Sequence, residues 1–398
     1  MAGSVLTLNA GSSSLKFALF GAATLEPILR GAIEDIDTAA HMTTRYEADA
    51  SLAEQRWVAG TSFDTILHDL LAFTHDQAGS AKLEAVGHRI VHGGPDHIGP
   101  AAVTPDLLNA LDALIPLDPL HLPHNLAPLR MIAAARPGLP QVACFDTAFH
   151  HTMPAVAQAV ALPAAITGRA IRRYGFHGLS YEFIARHLAR TAPELAQGRV
   201  IIAHLGSGAS LCALQSGVSI ATTMGFSVLD GLVMATRCGS IDPGVILYLG
   251  RMGYSFADIE DILYHRSGLL GVSGVSSDMR VLLASEIPEA RAAIDLFTYR
   301  IAIEIGGLVS ALGAIDALVF TGGIGEHSSE IRAAICARLV WLGLSLDDAA
   351  NASNAVRISK TGSTIDVSVV DTDEEAMIAH HTRATIRADI DSIVAADG

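Results

Sequence analysis

Two Gly/Ser-rich turns are where residue type and spacing first point to chemistry. Val5 to Leu19 reads VLTLNAGSSSLKFAL, and Val200 to Leu214 reads VIIAHLGSGASLCAL. Laid over each other without a gap, they match at Val5/Val200, Gly11/Gly206, Ser12/Ser207, Ala18/Ala213 and Leu19/Leu214, all at one offset of about half the chain. Glycines let backbone N–H groups approach a ligand, and clustered N–H groups with serine hydroxyls form a concavity for an anion, phosphate being the natural one. A third glycine turn, TGGIGE from Thr321, follows an apolar run and opens a helix whose first amides suit phosphate.

Charged and titratable candidates stand out from apolar surroundings. In LEAVGHRIVHGG, Leu83 to Gly94, strand alternation puts Arg89 and Val91 on one face and His88, Ile90 and His92 on the other. A cation and an apolar side chain then look into the same space; an edge-strand arginine reaching solvent is the plainer alternative. Asp146 ends the strand Gln141 to Phe145, a position that serves a ligand or a helix cap equally well. RRYGFHGLS, Arg172 to Ser180, places His177 in a loop before a helix that Ser180 could cap. Arg237, isolated among apolar and small residues, is costly to bury without an anion, for which Asp230 or a ligand could serve. A small-residue loop, SGLLGVSGVSSDMR, ends in Asp278 and Arg280.

These residues need a scaffold, and each Gly/Ser turn joins two apolar runs in the pattern of a β-hairpin. Two such hairpins half a chain apart predict a duplicated α/β fold whose domains face each other across a cleft. A third strand is expected over Ile28–Ile33, with later strands over Asp316–Phe320 and Ile365–Val370. Helices are expected over Ser62–His75 (Phe63, Ile66, Leu67, Leu70 and Leu71 on one face), from Thr104-Pro105, and over Leu126–Ala135. Further helices are expected over Pro243–Gly250, Phe256–Tyr264 and Pro288–Leu312, with a last one from about Glu374. The domain boundary is placed near residue 150.

Composition narrows the partners. A chain of 398 residues, half of them hydrophobic and 17% charged, is a well-buried globular protein long enough for two domains. Its net charge of −15 argues against a nucleic-acid partner, so local arginines must meet any anionic substrate. Cys144, Cys212, Cys238 and Cys336 show no metal spacing and read as reduced thiols, which favours the cytoplasm. No export signal is visible. Mean hydropathy is +0.39, yet the most apolar window, Ile301 to Phe320, is broken by Glu304 and Asp316, so no membrane span is expected.

The motifs NAGSSSLKF, HRIVHGG, DTAFH, RRYGFHG, HLGSGAS, MATRCG, SSDMR, GGIGE and TDEE occur in this order and resemble the acetate kinase family nearly end to end. The resemblance implies an actin-like ATPase fold of two ribonuclease-H-like domains around a nucleotide cleft. Residues 1–150, completed by the C-terminal helix 374–398, would form one domain and residues 151–373 the nucleotide-binding other. It implies reversible, Mg²⁺-dependent transfer of the ATP γ-phosphoryl group to a short carboxylate by a homodimer, with Mn²⁺ as a possible substitute and ADP as the other nucleotide.

By the same resemblance Arg89 and Arg237 hold carboxylate and transferring phosphoryl, His177 is the transition-state hydrogen-bond donor, and Asp146 aligns metal and substrate. Asn9 and Glu374 attend the metal. Val91, Leu120, Phe176 and Val228 line the acyl pocket. Ser12, Lys16, His204, Gly206, Ser207, Gly208, Asp278, Met279, Arg280, Gly323, Ile324, Gly325 and His327 serve the nucleotide. The chain departs from the family's runs at Leu122, His124, Val228 (for a pocket proline), Asp230, Ser240 and His327. Acetate is the expected acid and propionate the alternative. A nucleotide-binding switch of the same fold would not need Arg89, His177 and Arg237 around an apolar pocket.

Overall fold

The computed structural model describes residues 3–11, 13–77 and 82–396, the side chains of 389–396 excepted. The chain forms two compact units, Met1–Phe149 with Asp373–Gly398, and His150–Thr372.

In the first unit, β1 (Ser4–Ala10) and β2 (Leu15–Gly21) form the expected hairpin, and β3 (Pro27–Glu34), β4 (His41–Tyr46) and β5 (Leu52–Arg56) continue it as an antiparallel meander. On the other side of β1 lie β6 (Leu83–Ile90) and, beyond the short edge strand β7 (Ala101–Ala102) in sequence, β8 (Gln141–Phe145); β6 runs parallel to β1 and β8 parallel to β6. Alternation in β1 explains why both sheet faces are covered. Leu6 and Leu8 join Phe17 and Leu19 against Ile66, Leu67 and Leu70 of helix Phe63–Gln77, while Val5 packs with Ala18, Phe20 and Ala379 of the C-terminal helix Glu374–Ala396. Gly87 of β6 lets that helix approach: a Cβ there would lie 2.1 Å from Thr382 Oγ1.

The second unit repeats the order. β9 (Arg199–Leu205), β10 (Ala209–Gln215) and β11 (Val218–Thr222) are antiparallel, followed by β12 (Ala317–Thr321) parallel to β9 and β13 (Asp366–Val369) parallel to β12. The order β11-β10-β9-β12-β13 matches β3-β2-β1-β6-β8, the three-antiparallel, two-parallel pattern of a ribonuclease-H-like fold, here duplicated.

The gapless overlay of the two turns needs correction. Ala10↔Leu15 closes the first hairpin and Leu205↔Ala209 the second, so the second connection is one residue shorter than the first. Val5 therefore pairs with Phe20 but Val200 with Leu214, and the apparent matches Ala18/Ala213 and Leu19/Leu214 are one register out.

Helix Leu122–Ala135 starts before Leu126 because Pro123 falls in its first turn, where no N–H is needed. β4 and β5 carry no apolar stripe to announce them. Among the described residues no helix is long and apolar enough to cross a membrane.

Candidate functional site

Parallel pairing of β6 with β8, in register at Ile90↔Phe145, sets Arg89 beside Asp146, the first residue past β8. Arg89 Nε donates to Asp146 Oδ1 and Oδ2 (3.1 and 3.0 Å), Nη2 to Oδ2 (2.5 Å) and Nη1 to Asn9 Oδ1 (3.2 Å). Asn9 Nδ2 in turn donates to Glu374 Oε2 (3.1 Å), which lies 4.0 Å from Arg89 Nε. Asp146 is fully buried and is the counter-ion of Arg89, a pairing that the position at the strand end did not announce. Burial alone would lower the Arg89 pKa, but the charges of Asp146 and Glu374 outweigh it and raise the value, so the guanidinium stays charged. Glu374 Oε1 has no partner among the described residues, and there no cluster of three or more His, Cys, Asp or Glu side chains could hold a metal.

Strand β6 ends at Ile90, so alternation does not reach Val91. Its place is set instead by Asn125 of helix Leu122–Ala135. The Val91 N–H donates to Asn125 Oδ1 (2.8 Å), and Asn125 Nδ2 donates to the Ala10 carbonyl (2.7 Å). One buried amide thus ties the end of β6 to the end of β1. An Asn inside an apolar helix was the available signal, because such residues persist there only when their side chains are bonded. Val91 is buried, Leu120 half-buried in the turn before the helix, Leu122 buried and His124 exposed. The other residues expected in an acyl pocket, Phe176 and Val228, are buried in the second unit.

In that unit His177 begins helix Gly178–Thr191 in a left-handed conformation, φ 58°, which costs a non-glycine residue ~1–2 kcal/mol. His150 Nε2 donates to the carbonyl of the preceding Phe176 (3.0 Å), anchoring the turn. Ser180 is not the helix cap: its Oγ lies 2.8 Å from His204 Nδ1 and from Thr372 Oγ1. The His204 ring stacks on His177 at 4.4 Å between centroids. Ala235 N donates to Ser207 O (3.1 Å), holding the segment that carries Arg237 against the β9–β10 turn. Arg237 Nη1 donates to the Val228 carbonyl (2.8 Å), whereas Asp230 pairs with Arg173 (2.7 Å) rather than with Arg237. Gly208 leaves room for both side chains: a Cβ there would lie 2.8 Å from Arg237 Nη2 and 3.2 Å from His177 Nε2, and would displace the guanidinium from its present place.

A cavity of about 850 Å³ is lined by Gly206, Ser207, Asp278, Met279, Arg280, Gly323, Ile324 and His327, with Ala235, Leu283 and Ala284 adding apolar wall. Asp278 caps helix Met279–Leu283, accepting from Arg280 N (2.8 Å) and pairing with the exposed Arg280 guanidinium, a hydrogen bond that holds its carboxyl below the usual range. His204, Gly208 and Gly325 stand off this lining. The helix opened by GGIGE spans only Gly322–His327, and the Gly322 amide donates to Glu326 Oε1 (2.7 Å), which also accepts from Thr321 Oγ1 and Thr372 N. The expectation of amides waiting for phosphate therefore fails at Gly322. The loop is held from behind by Arg332, unforeseen from sequence. Fully buried, it donates to the carbonyls of Gly325, Glu326 and Asn351 and to the side-chain oxygens of Asn351 and Asn354. Ser12 lies outside the described residues, and Lys16 is exposed on β2 along a groove with Arg30, Arg45 and Glu375 in the first unit.

Comparison with known proteins shows the family. The profile of the acetokinase family matches residues 4–380. The chain is 52% identical over 393 residues to an acetate kinase of Rhodopseudomonas palustris, covering 95% of this chain and 97% of that one. Among solved structures it resembles a propionate kinase from Francisella tularensis (37% identity, TM-score 0.90, covering 95% of this chain and 98% of that chain). It also resembles an acetate kinase from Porphyromonas gingivalis (33% identity, TM-score 0.87, covering 97% and 100%).

Proposed function

The chain belongs to the acetokinase family, and from that premise we propose that it transfers the γ-phosphoryl group of ATP reversibly to acetate, giving acetyl phosphate and ADP. A carboxylate oxygen of the acid forms the new bond to the γ-phosphorus. The bond from that phosphorus to the β–γ bridging oxygen breaks, and its electron pair leaves with ADP.

The observation that carries the reading is the face of Gly208, where a missing Cβ admits Arg237 Nη2 and His177 Nε2 two residues from Gly206 of the cavity wall. Phosphoryl transfer needs positioning and charge neutralisation more than covalent help. Arg237 and His177 supply donors for the phosphoryl oxygens, and the cavity walls hold the nucleotide. In the first unit Arg89, kept charged and fixed by Asp146, binds the acid's carboxylate beside Val91. Hard oxygens at Asn9 and at Glu374, whose Oε1 has no described partner, fit Mg²⁺, which keeps several waters and takes one or two protein oxygens. When bound, the ion neutralises phosphate charge.

Propionate is the second reading, favoured by Val228 where the family has a rigid proline and by the likeness to a propionate kinase. Exposed Val245, Leu247, Tyr248, Met252, Tyr254 and Phe256 support a homodimer, which light scattering on the eluting protein tests. The function itself is tested by trapping acyl phosphate as the hydroxamate with acetate, propionate and butyrate side by side. Acetate should give the highest kcat/KM; ATP hydrolysis without hydroxamate would reject the proposal.

A further inference from the structure

Behind His177 lies a buried chain of hydroxyl groups. Ser210 Oγ, on β10, is 2.8 Å from His177 Nδ1 and 2.5 Å from the Tyr181 hydroxyl, one turn along the helix that His177 begins. Ser210 and Tyr181 are fully buried. Among the described residues neither hydroxyl has a further hydrogen-bond partner.

We propose that Ser210, with Tyr181 donating to it, acts as a positioning residue for phosphoryl transfer in a relay that keeps the ring proton of His177 on Nε2. The proposal rests on the reading of His177 as a donor to the phosphoryl group. A hydroxyl has one proton to give and two lone pairs to accept with. Burial raises the Tyr181 pKa well above its ordinary value, so the phenol keeps its proton and must place it. If Tyr181 donates to Ser210, and Ser210 donates to His177 Nδ1, every proton is used and Nδ1 is an acceptor. The ring proton then sits on Nε2, the atom that faces Gly208 and Arg237.

The opposite arrangements each waste a proton. If His177 Nδ1–H donates to Ser210 and Ser210 to Tyr181, the phenol proton has no acceptor. If both neighbours donate to Ser210, the serine proton has none. An orphaned buried donor biases the balance by about tenfold or more. His150 shows the same device nearby. The Phe176 carbonyl can only accept, so the proton is on Nε2, and burial holds the His150 pKa at about 4, leaving Nδ1 to accept from Ser219 Oγ at 2.9 Å.

The test uses full-length protein with ¹⁵N-labelled histidine rings, read by NMR, alongside steady-state kinetics of Ser210→Ala, Tyr181→Phe and Ser210→Thr. In the wild type the His177 ring should carry its proton on Nε2. Ser210→Ala should mix the two tautomers and lower kcat about tenfold with KM values unchanged, Ser210→Thr should restore both, and Tyr181→Phe, which leaves the serine proton no acceptor but Nδ1, should keep the ring proton on Nε2. A wild-type proton on Nδ1, an unchanged tautomer in Ser210→Ala, or mixed tautomers in Tyr181→Phe overturns the relay whatever kcat does. A changed tautomer in Ser210→Ala with unchanged kcat supports the relay and overturns instead the assignment of His177 to the phosphoryl group.

Discussion

Asn9 and His204 are each the penultimate residue of the first strand in their unit, β1 and β9, and their surroundings could hardly differ more. Around Asn9 gather full charges: Arg89, Asp146 and Glu374. Around His204 gather neutral groups: the hydroxyls of Ser180 and Thr372 and, through the stacked His177, those of Ser210 and Tyr181. One strand order thus supports two ways of preparing a site. A charge cluster must stay balanced to stay folded, because a buried carboxylate left without its cation is expensive. A hydroxyl relay has no net charge to strand, so damage to it should appear in geometry and rate before it appears in stability.

The sharpest way to break this contrast is to remove the arginine on each side. Arg89→Ala removes the guanidinium that pairs with the fully buried Asp146 carboxylate and should cost ~3–5 kcal/mol of stability as well as activity. Arg237→Ala should leave the melting temperature near wild type while lowering kcat ~10²–10³-fold. Denaturant unfolding with initial rates separates the two outcomes. Equal losses of stability would show that the charge balance of the first unit is nothing special.

Acid should act on both units alike. Burial holds His88 at about 3, and His92 and His150 at about 4, below the ordinary 6.5 of an exposed imidazole. Between pH 6.5 and about 4 the unfolded chain therefore binds more protons than the native one. Stability is full above pH 6.5 and falls as pH falls through this window, by ~1.4 kcal/mol per pH unit for each such histidine. Thermal melts from pH 7 to 4.5 should show the slope, and His88→Gln, beside Gln141, should reduce it by about a third. A flat profile would mean that these rings take up protons in place.

Asn125→Ala makes a smaller and more local break. It removes two buried hydrogen bonds, leaving the Val91 amide and the Ala10 carbonyl without partners, at ~1–3 kcal/mol. The KM for acetate should rise while the KM for ATP stays put. A rise in both would show that Asn125 does more than fix the end of β6.

What could be read in advance follows from how local each signal is. Helix Pro288–Leu312 is announced residue for residue by a proline in its first turn and by Gly313, which closes it in a left-handed conformation. Strand Gln141–Phe145 is a short apolar run with a turn on either side. Strands β4 and β5 could not be read this way, since Thr43, Arg45, Leu52, Glu54 and Arg56 are exposed and no apolar face marks the run. The site divides along the same line. Glycines and lone charges stand out in a sequence, so Arg89, His177, Gly208 and Arg237 were visible. Asn125, Ser210, Tyr181 and Arg332 were not, because an ordinary polar residue shows its role only beside partners that lie 34 residues away for Asn125 and Val91, or 29 for Tyr181 and Ser210. The missing residue in the second hairpin turn is invisible for a related reason: chance identities at Ala213 and Leu214 conceal it until strand pairing exposes the slip.

The mildest test touches the apolar side of the charged unit. Val91 is buried and held through its backbone by Asn125, so trimming its side chain should disturb neither the amide bond nor the Arg89 cluster. Val91→Ala removes two methyl groups and leaves a space that the fixed backbone cannot close. Propionate carries one methylene more than acetate, and one methylene in an apolar pocket discriminates by ~1–3 kcal/mol, about 10–200-fold. The variant should therefore move the acetate-to-propionate ratio of kcat/KM toward propionate by about tenfold, with the KM for ATP unchanged. The direction matters more than the size. A cation fixed by a buried carboxylate cannot shift to follow a longer acid, so the added length has to be taken up on the apolar side. If Val91→Ala leaves the ratio as it was, the methyl end of the acid lies elsewhere, and the pairing of Arg89 with Val91 as the two ends of one substrate site is wrong.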